Sequence, residues 1–196
     1  MFEGKDRVKI RLAGSGGQGL LLAGLMLGEA AAIYDGREVC VTNSYGPEAR
    51  GGASKSEVVI SSEQIDYPKA TNLDVLLTMN QESCDKNYHD LKHDGVLLAD
   101  EHDVKSVPTS RAFVLAFTDV ARDVVGKAVT ANVVALGALC ALTEVVSRQA
   151  LKAAVLARAP KGTEELNLKA LKEGFAMGEA CRARLAGAAP TASGAA

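Results

Sequence analysis

Gly14-Ser15-Gly16-Gly17-Gln18-Gly19 stands between a short apolar stretch, residues 8–13, and a long apolar run, residues 20–33. Strand, glycine turn and helix, in that order, aim free backbone N–H groups at an anion. The first N–H groups of a helix have no partner within it, and the helix dipole makes that end partly positive. Glycine lets the backbone turn sharply and approach a phosphate closely, since no Cβ intervenes. Gly14, Gly16 and Gly19 satisfy G-x-G-x-x-G, a spacing that a plain tight turn also produces. Two comparisons narrow its meaning. A nicotinamide site wants an acid at the end of the second strand to hold the ribose. The second strand here, residues 38–43, ends in Thr42-Asn43 and carries Glu38 at its other end. A Walker loop needs Gly-Lys-Ser/Thr, and Gln18-Gly19-Leu20 stands in that place. The loop is suited to an anion, but to neither NAD nor a nucleoside triphosphate in the usual way.

Ser44-Tyr45-Gly46-Pro47-Glu48-Ala49-Arg50-Gly51-Gly52 follows the second strand and is a loop by composition. In an open parallel sheet it leaves from the same rim as the first glycine loop, where ligands tend to bind. Arg50 beside Gly51 and Gly52 sets a forked cation next to backbone that a ligand can approach. A surface pair between Arg50 and Glu48 would explain the same charges at little energetic worth.

The remaining chain bounds the answer. A chain of 196 residues can bury roughly 70% of its unfolded surface and needs no metal or disulfide for stability. The net charge of −2, with Lys and Arg spread along the chain and few aromatics, argues against nucleic acid. Cys40, Cys84, Cys140 and Cys181 form no Cys-x-x-Cys, and the three histidines have no metal-ligand spacing. No metal or iron–sulfur cluster is therefore expected on this chain. His89, His93 and His102 read as solvent-exposed. A charged N-terminus without an apolar core argues against a signal peptide, and the longest uncharged run, residues 12–28, is too short and turn-rich to cross a bilayer. A soluble, cytoplasmic protein is expected.

Residues 8–13 read as a strand, 17–34 as a helix, 38–43 as a second strand, and 53–60 as an alternating strand near a sheet edge, antiparallel to the second or displaced to another edge. The apolar run 74–79 reads as a central strand. Asn80 caps a helix over 81–92, which Asp94-Gly95 closes, and 96–99 and 111–117 are further strands. Helices are expected over 131–146, 148–159 and 164–186, with Ser147 and Thr163 as N-caps. The fold class is thus α/β, an open, mostly parallel Rossmann-like sheet flanked by helices with a helical C-terminal part. Runs 20–33 and 131–146 are apolar nearly all round, more than such a sheet can cover, so an obligate partner is expected. No Gly-x-Ser-x-Gly elbow, Cys–His pattern or thiamine-diphosphate signature occurs.

Residues 13–19, the Ser44–Gly52 loop and Gly162-Thr163-Glu164-Glu165-Leu166-Asn167, in this order and at these separations, resemble the gamma subunit of 2-oxoacid:ferredoxin oxidoreductases. The likeness spans residues 8–184, so residues 1–186 read as one gamma-type domain, with helices 131–186 packed on it, before a disordered tail at 187–196. The wording of the second loop is most like the separate gamma subunit of 2-oxoglutarate enzymes. The resemblance implies oxidative decarboxylation of a 2-oxoacid to its acyl-CoA, with electrons passed to ferredoxin. It places thiamine diphosphate, magnesium and [4Fe-4S] clusters on alpha, beta and, where present, delta partner subunits. It further implies coenzyme A as the co-substrate that this chain is expected to help hold, through Gly14, Ser15, Gly16, Gly17, Gln18, Gly19, Ser44, Tyr45, Arg50, Gly51 and Gly52, with no catalytic residue of its own. Three alternatives stay open: a pyruvate, branched-chain or indolepyruvate enzyme, a purely structural subunit, and a nucleotide-binding reductase.

Overall fold

Val8, Ile10 and Leu12 alternate with Lys9, Arg11 and Ala13 along the first strand, and the alternation sends the two sets to opposite faces of one sheet. A computed structural model describes residues 2, 5–46 and 52–187, the last two by backbone alone. The elements are β1 (Arg7–Ser15), α1 (Leu20–Glu29) widening into a π-turn at Ala30–Tyr34, β2 (Glu38–Tyr45), β3 (Ala53–Ser61), β4 (Leu73–Thr78), α2 (Gln81–Asn87), β5 (Leu91–Asp100) and β6 (Phe113–Leu115). Then come α3 (Phe117–Asp119), which runs on as a π-turn at Val120–Val125, α4 (Ala131–Thr143), α5 (Arg148–Arg158) and α6 (Glu164–Gly187).

The six strands form one sheet in the order β2-β3-β1-β4-β5-β6. Only β3 runs against the rest; it is antiparallel to both β1 and β2, while β1, β4, β5 and β6 are mutually parallel. The expected antiparallel pairing of the third strand with the second therefore holds, and β2 is the edge. On one face, Ile10, Leu12, Val58 and Leu77 pack with α1, α4 and α5 in the main core. On the other, Val59, Leu76 and Leu97 meet Cys84 of α2 in a smaller one. Consecutive β4 residues serve both cores, which is why the run 74–79 lacks alternation.

Several boundaries differ from the sequence reading. The helix begins at Leu20, not at residue 17, because Gly17 and Gly19 take positive φ. The helix expected over 81–92 ends at Asn87, passes through a 3-10 turn at Tyr88–Asp90, and gives way to β5 from Leu91. Leu91 pairs with Leu73 and Lys92 reaches Asp74, so the strand starts early. Asp94-Gly95 lies within the register shift between the Leu73–Leu91 and Val75–Val96 pairs; it is an irregularity in a strand and not a helix stop. The strand expected over 111–117 shrinks to Phe113–Leu115, followed by the unforeseen helical stretch from Phe117. Asn80 and Ser147 cap as expected, accepting from the N–H groups of Ser83 and Ala150. Thr163 instead donates its hydroxyl to Pro160 O at 2.7 Å. Residues 188–196 lie outside the described chain.

Asp74 shows how the sheet's N-terminal side is tied together. Its buried carboxylate accepts from Lys5 Nζ and Lys92 Nζ, each at 2.7 Å, and from the Lys9 N–H at 2.8 Å. Burial alone pushes its pKa up, but these donors outweigh burial and hold it below the ordinary carboxylate value. Because the folded-state pKa is depressed, the stabilisation is present above the unfolded pKa and is lost as pH falls through the folded one. Asp74→Asn is therefore expected to lower unfolding free energy at pH 7 by about 1.5–3 kcal/mol, with the gap to wild type closing below about pH 4. Urea titrations at several pH values measure this, and a gap independent of pH would contradict it.

Candidate functional site

The two glycine-rich segments leave the sheet side by side. Ser15 of β1 pairs with Ala53 of β3, and Tyr45 of β2 pairs with Ser54, so all three strands reach one rim together. The Gly16 N–H donates to Gly52 O at 2.7 Å and the Gly46 N–H to Ala53 O at 2.6 Å. The first bond joins the first loop to the end of the second, and the other closes the base of the second loop. Arg50 and Gly51, with Pro47, Glu48 and Ala49, lie outside the described residues.

Within the first loop the six residues divide into scaffold and open backbone. Gln18 folds inward: its Oε1 accepts from the Ser15 N–H at 2.7 Å, and its Nε2 donates to Met79 O at 3.0 Å. A Cβ on Gly14 would lie 2.3 Å from that Oε1 and 2.6 Å from Leu20 Cδ1, so only glycine admits the clamp. Ser15 Oγ accepts from Asn80 Nδ2, which ties the loop to the start of α2. Gln18 and Asn80 thereby span the crevice between the ends of β1 and β4, where the chain turns to opposite faces of the sheet. Ser15, Gly16 and Gln18 spend their N–H groups internally.

Gly19 is different. It takes φ 73° at the N-cap of α1 and provides no side-chain cap, and the first turn carries no acid. The Ala23 N–H returns to Gly19 O at 2.9 Å. Among the described residues the N–H groups of Leu20, Leu21 and Leu22 have no partner, which leaves the positive end of the helix dipole uncompensated. Asn132 Nδ2 donates to Gly19 O at 3.0 Å, and a Cβ on Gly19 would lie 2.6 Å from that nitrogen.

Two hollows flank this rim. Ser44 and Tyr45 line a cleft of about 350 Å³ on the α2 side, with Lys55, Lys86, Asn87 and the saturated guanidinium of Arg11. Gly19 lines an apolar pit of about 210 Å³ on the other side, with Leu22, Val129, Asn132, Thr163 and Asn167. The structure thus brings Ser44 and Tyr45 to one hollow and Gly19 to the other, linked by the Gly16–Gly52 bond. The third motif, residues 162–167, meets the first at the pit, where Asn167 Nδ2 holds Thr163 O at 2.9 Å. Sequence reading passed over Asn132, Lys127 and Lys55. A lone amide in the first turn of the apolar run 131–146 was the available signal for Asn132.

The cysteines do not gather. Cys140 is buried, its Sγ donates to Val146 O at 3.3 Å, and burial pushes its pKa up to about 12. Burial likewise raises Cys84 and Cys181. Such protonated thiols are inert and do not fit a cluster or metal. Among the described residues no group of three or more His, Cys, Asp or Glu side chains could hold a metal ion, and no helix is long and apolar enough to cross a membrane.

The chain is 49% identical over 175 residues to the 2-oxoglutarate synthase subunit KorC of Methanocaldococcus jannaschii, covering 87% of this chain and 94% of that one. It matches the solved keto/oxoacid ferredoxin oxidoreductase gamma subunit of Geobacter sulfurreducens with a TM-score of 0.82 and 48% identity, over 89% of this chain and 97% of that chain. It also matches a 2-oxoglutarate:ferredoxin oxidoreductase from Magnetococcus marinus, solved with 2-oxoglutarate, coenzyme A and succinyl-CoA bound. There the TM-score is 0.79 and the identity 26%, over 90% of this chain but 32% of that one. Residues 9–177 match one family across strands, loops and C-terminal helices alike, and the chain belongs to the pyruvate ferredoxin/flavodoxin oxidoreductase family.

Proposed function

We propose that this chain is the gamma subunit of a 2-oxoglutarate:ferredoxin oxidoreductase and that it holds coenzyme A while partner subunits carry out the oxidation. The observation that carries the reading is the uncapped start of α1: the Leu20, Leu21 and Leu22 N–H groups, behind Gly19, are left open to an anion, with no acidic side chain in the first turn to compete. Coenzyme A carries a pyrophosphate and a 3′-phosphate. The helix end suits the first, and Arg50 the second in bidentate fashion. Gly14, Gln18 and Asn80 position that helix end, Gly52 bonds the loop before it, and Ser44 and Tyr45 line the neighbouring hollow on the same rim. Thiamine diphosphate and clusters on the partners supply the carbon chemistry and the electron path; this chain supplies binding and orientation. The near full-length likeness to KorC supports the 2-oxoglutarate assignment.

A structural subunit is the second reading, and one observation favours it. Ser15, Gly16 and Gln18 turn their N–H groups inward, so half of the hexad serves packing. Calorimetric titration of the assembled complex with coenzyme A, NADH and NADPH separates the readings. Arg50→Ala is expected to weaken coenzyme A binding by about 1.5–3 kcal/mol, roughly tenfold to over a hundredfold, while the apparent affinity for 2-oxoglutarate stays near wild type. Arg50→Lys restores only part, since an ammonium does not reproduce the fork. Equal coenzyme A affinity in wild type and Arg50→Ala, in an intact complex, defeats the ligand role.

A further inference from the structure

A helix on the surface of a protein that stands alone turns polar side chains to water. The inner side of α1 packs into the main core through Leu20, Ala23, Met26 and Leu27. Its outer side continues apolar: Leu22 is 38% exposed, Leu25 36%, and Ile33, in the π-turn, 71%. These positions recur at helical spacing and form one stripe about 16 Å long. The single acid within it, Glu29, is paired with Arg158 of α5 and so adds no uncompensated charge. Val129, 72% exposed, extends the stripe beyond the N-terminal end of α1.

At that end lies the apolar pit lined by Leu22, Met26, Val129, Val133, Pro160 and Leu166. Its volume of about 210 Å³ is below the roughly 300–1,000 Å³ of small-molecule pockets. An apolar stripe with a pit at one end is the form of a protein interface, the pit taking a single anchor side chain.

The identity of the occupant follows from the lengths of the relatives' chains. The Magnetococcus marinus enzyme has this fold as about a third of a longer polypeptide, so there the same architecture is permanently attached to further protein. KorC, by contrast, is a subunit of which 94% is covered by this chain, so there the equivalent contact falls between separate polypeptides. We propose that the stripe Leu22, Leu25 and Ile33, with Val129 and the adjoining pit, is the docking surface for the companion polypeptide corresponding to the remainder of that longer chain. The inference rests on the reading of this chain as one subunit of a complex. Because Gly19 lines the pit, the docked companion stands directly beside the open N–H groups of α1 and bounds the anion site that this chain begins.

The test uses the complex, with this chain co-expressed alongside its companion subunits and captured through a tag on the companion. Ile33→Asp, Leu25→Lys and Val129→Lys are compared with Tyr67→Asp, an exposed residue of the loop between β3 and β4. Each stripe variant is expected to weaken co-purification by at least about tenfold. Tyr67→Asp should behave as wild type, and every isolated variant should keep the wild-type melting temperature. Stripe variants that co-purify at wild-type stoichiometry overturn the proposal. So does an isolated chain that dimerises through Ile33 while still binding the companion, for then a second copy occupies the stripe. Failure of the wild-type chain to co-purify sinks the subunit reading itself, an outcome distinct from loss in the variants alone.

Discussion

Arg11→Ala is expected to destabilise the chain by about 3–5 kcal/mol, as removal of one partner from a buried ion pair does. Arg11 is a cation in the middle of β1, with its side chain 6% exposed. Nε and Nη2 meet Glu57 Oε1 at 2.9 and 2.7 Å, Nη1 meets Asp90 and Asn87, and Nη2 also reaches Ala70 O at 3.1 Å. One side chain thereby joins β3, the loop before β4 and the end of α2. Without it, the partners left to the buried Glu57 among the described residues are Lys55 at 3.5 Å and Thr42 at 3.5 Å. Pairing Arg11→Met with Glu57→Gln should return a large part of the loss, because the stranded charge goes with its partner. Urea unfolding of the two single variants and the double one measures this. A cost under about 1 kcal/mol for Arg11→Ala would place the pair among ordinary surface contacts.

Gly174→Val is expected to cost roughly 3 kcal/mol or more, at the upper end of overpacking effects. A Cβ at this position would lie 2.1 Å from Val134 O and 3.0 Å from the Ala138 nitrogen, both backbone atoms of α4. A Cβ on Gly137 or Gly178 would likewise meet the facing helix, at 2.8 and 2.4 Å respectively. Gly174→Ala is the sharper test because two effects differ in sign. Helix propensity alone predicts a gain of about 1 kcal/mol, whereas the seam predicts a net loss. A higher melting temperature for Gly174→Ala would show that α4 and α6 part freely.

The sequence was most legible where local chemistry decides structure. Residues 8–19 declared strand and turn through a short apolar run and glycine spacing, and Asn80 and Ser147 declared their helices through capping. Arg11 was passed over because its partner Glu57 lies 46 positions away and enters only once β3 slides between β1 and β2. The start of β5 was misread for a similar reason: Asp94-Gly95 stops a helix by local rules, but pairing of Leu91 with Leu73 prevails. The expected surplus of apolar surface was half right. α4 is buried throughout by its own chain, chiefly by α6, while α1 keeps its outer stripe open. Gln18 was grouped with the ligand contacts on sequence grounds, yet its amide holds Ser15 and Met79; nothing in the sequence shows which way an amide turns.

The tight seam between α4 and α6 also governs the order in which the molecule can be made. Every residue of α4 is buried, and the largest part of its cover arrives only with residues 164–187. A nascent chain that has emerged as far as α5 therefore presents an apolar helix without its principal cover, the state in which intermediates aggregate. Synthesis runs at about 5–20 residues per second, so that exposure lasts on the order of a second or more before α6 follows. The glycine seam rewards only a complete helical pair, and it makes the last helix the one that commits the chain to its native state.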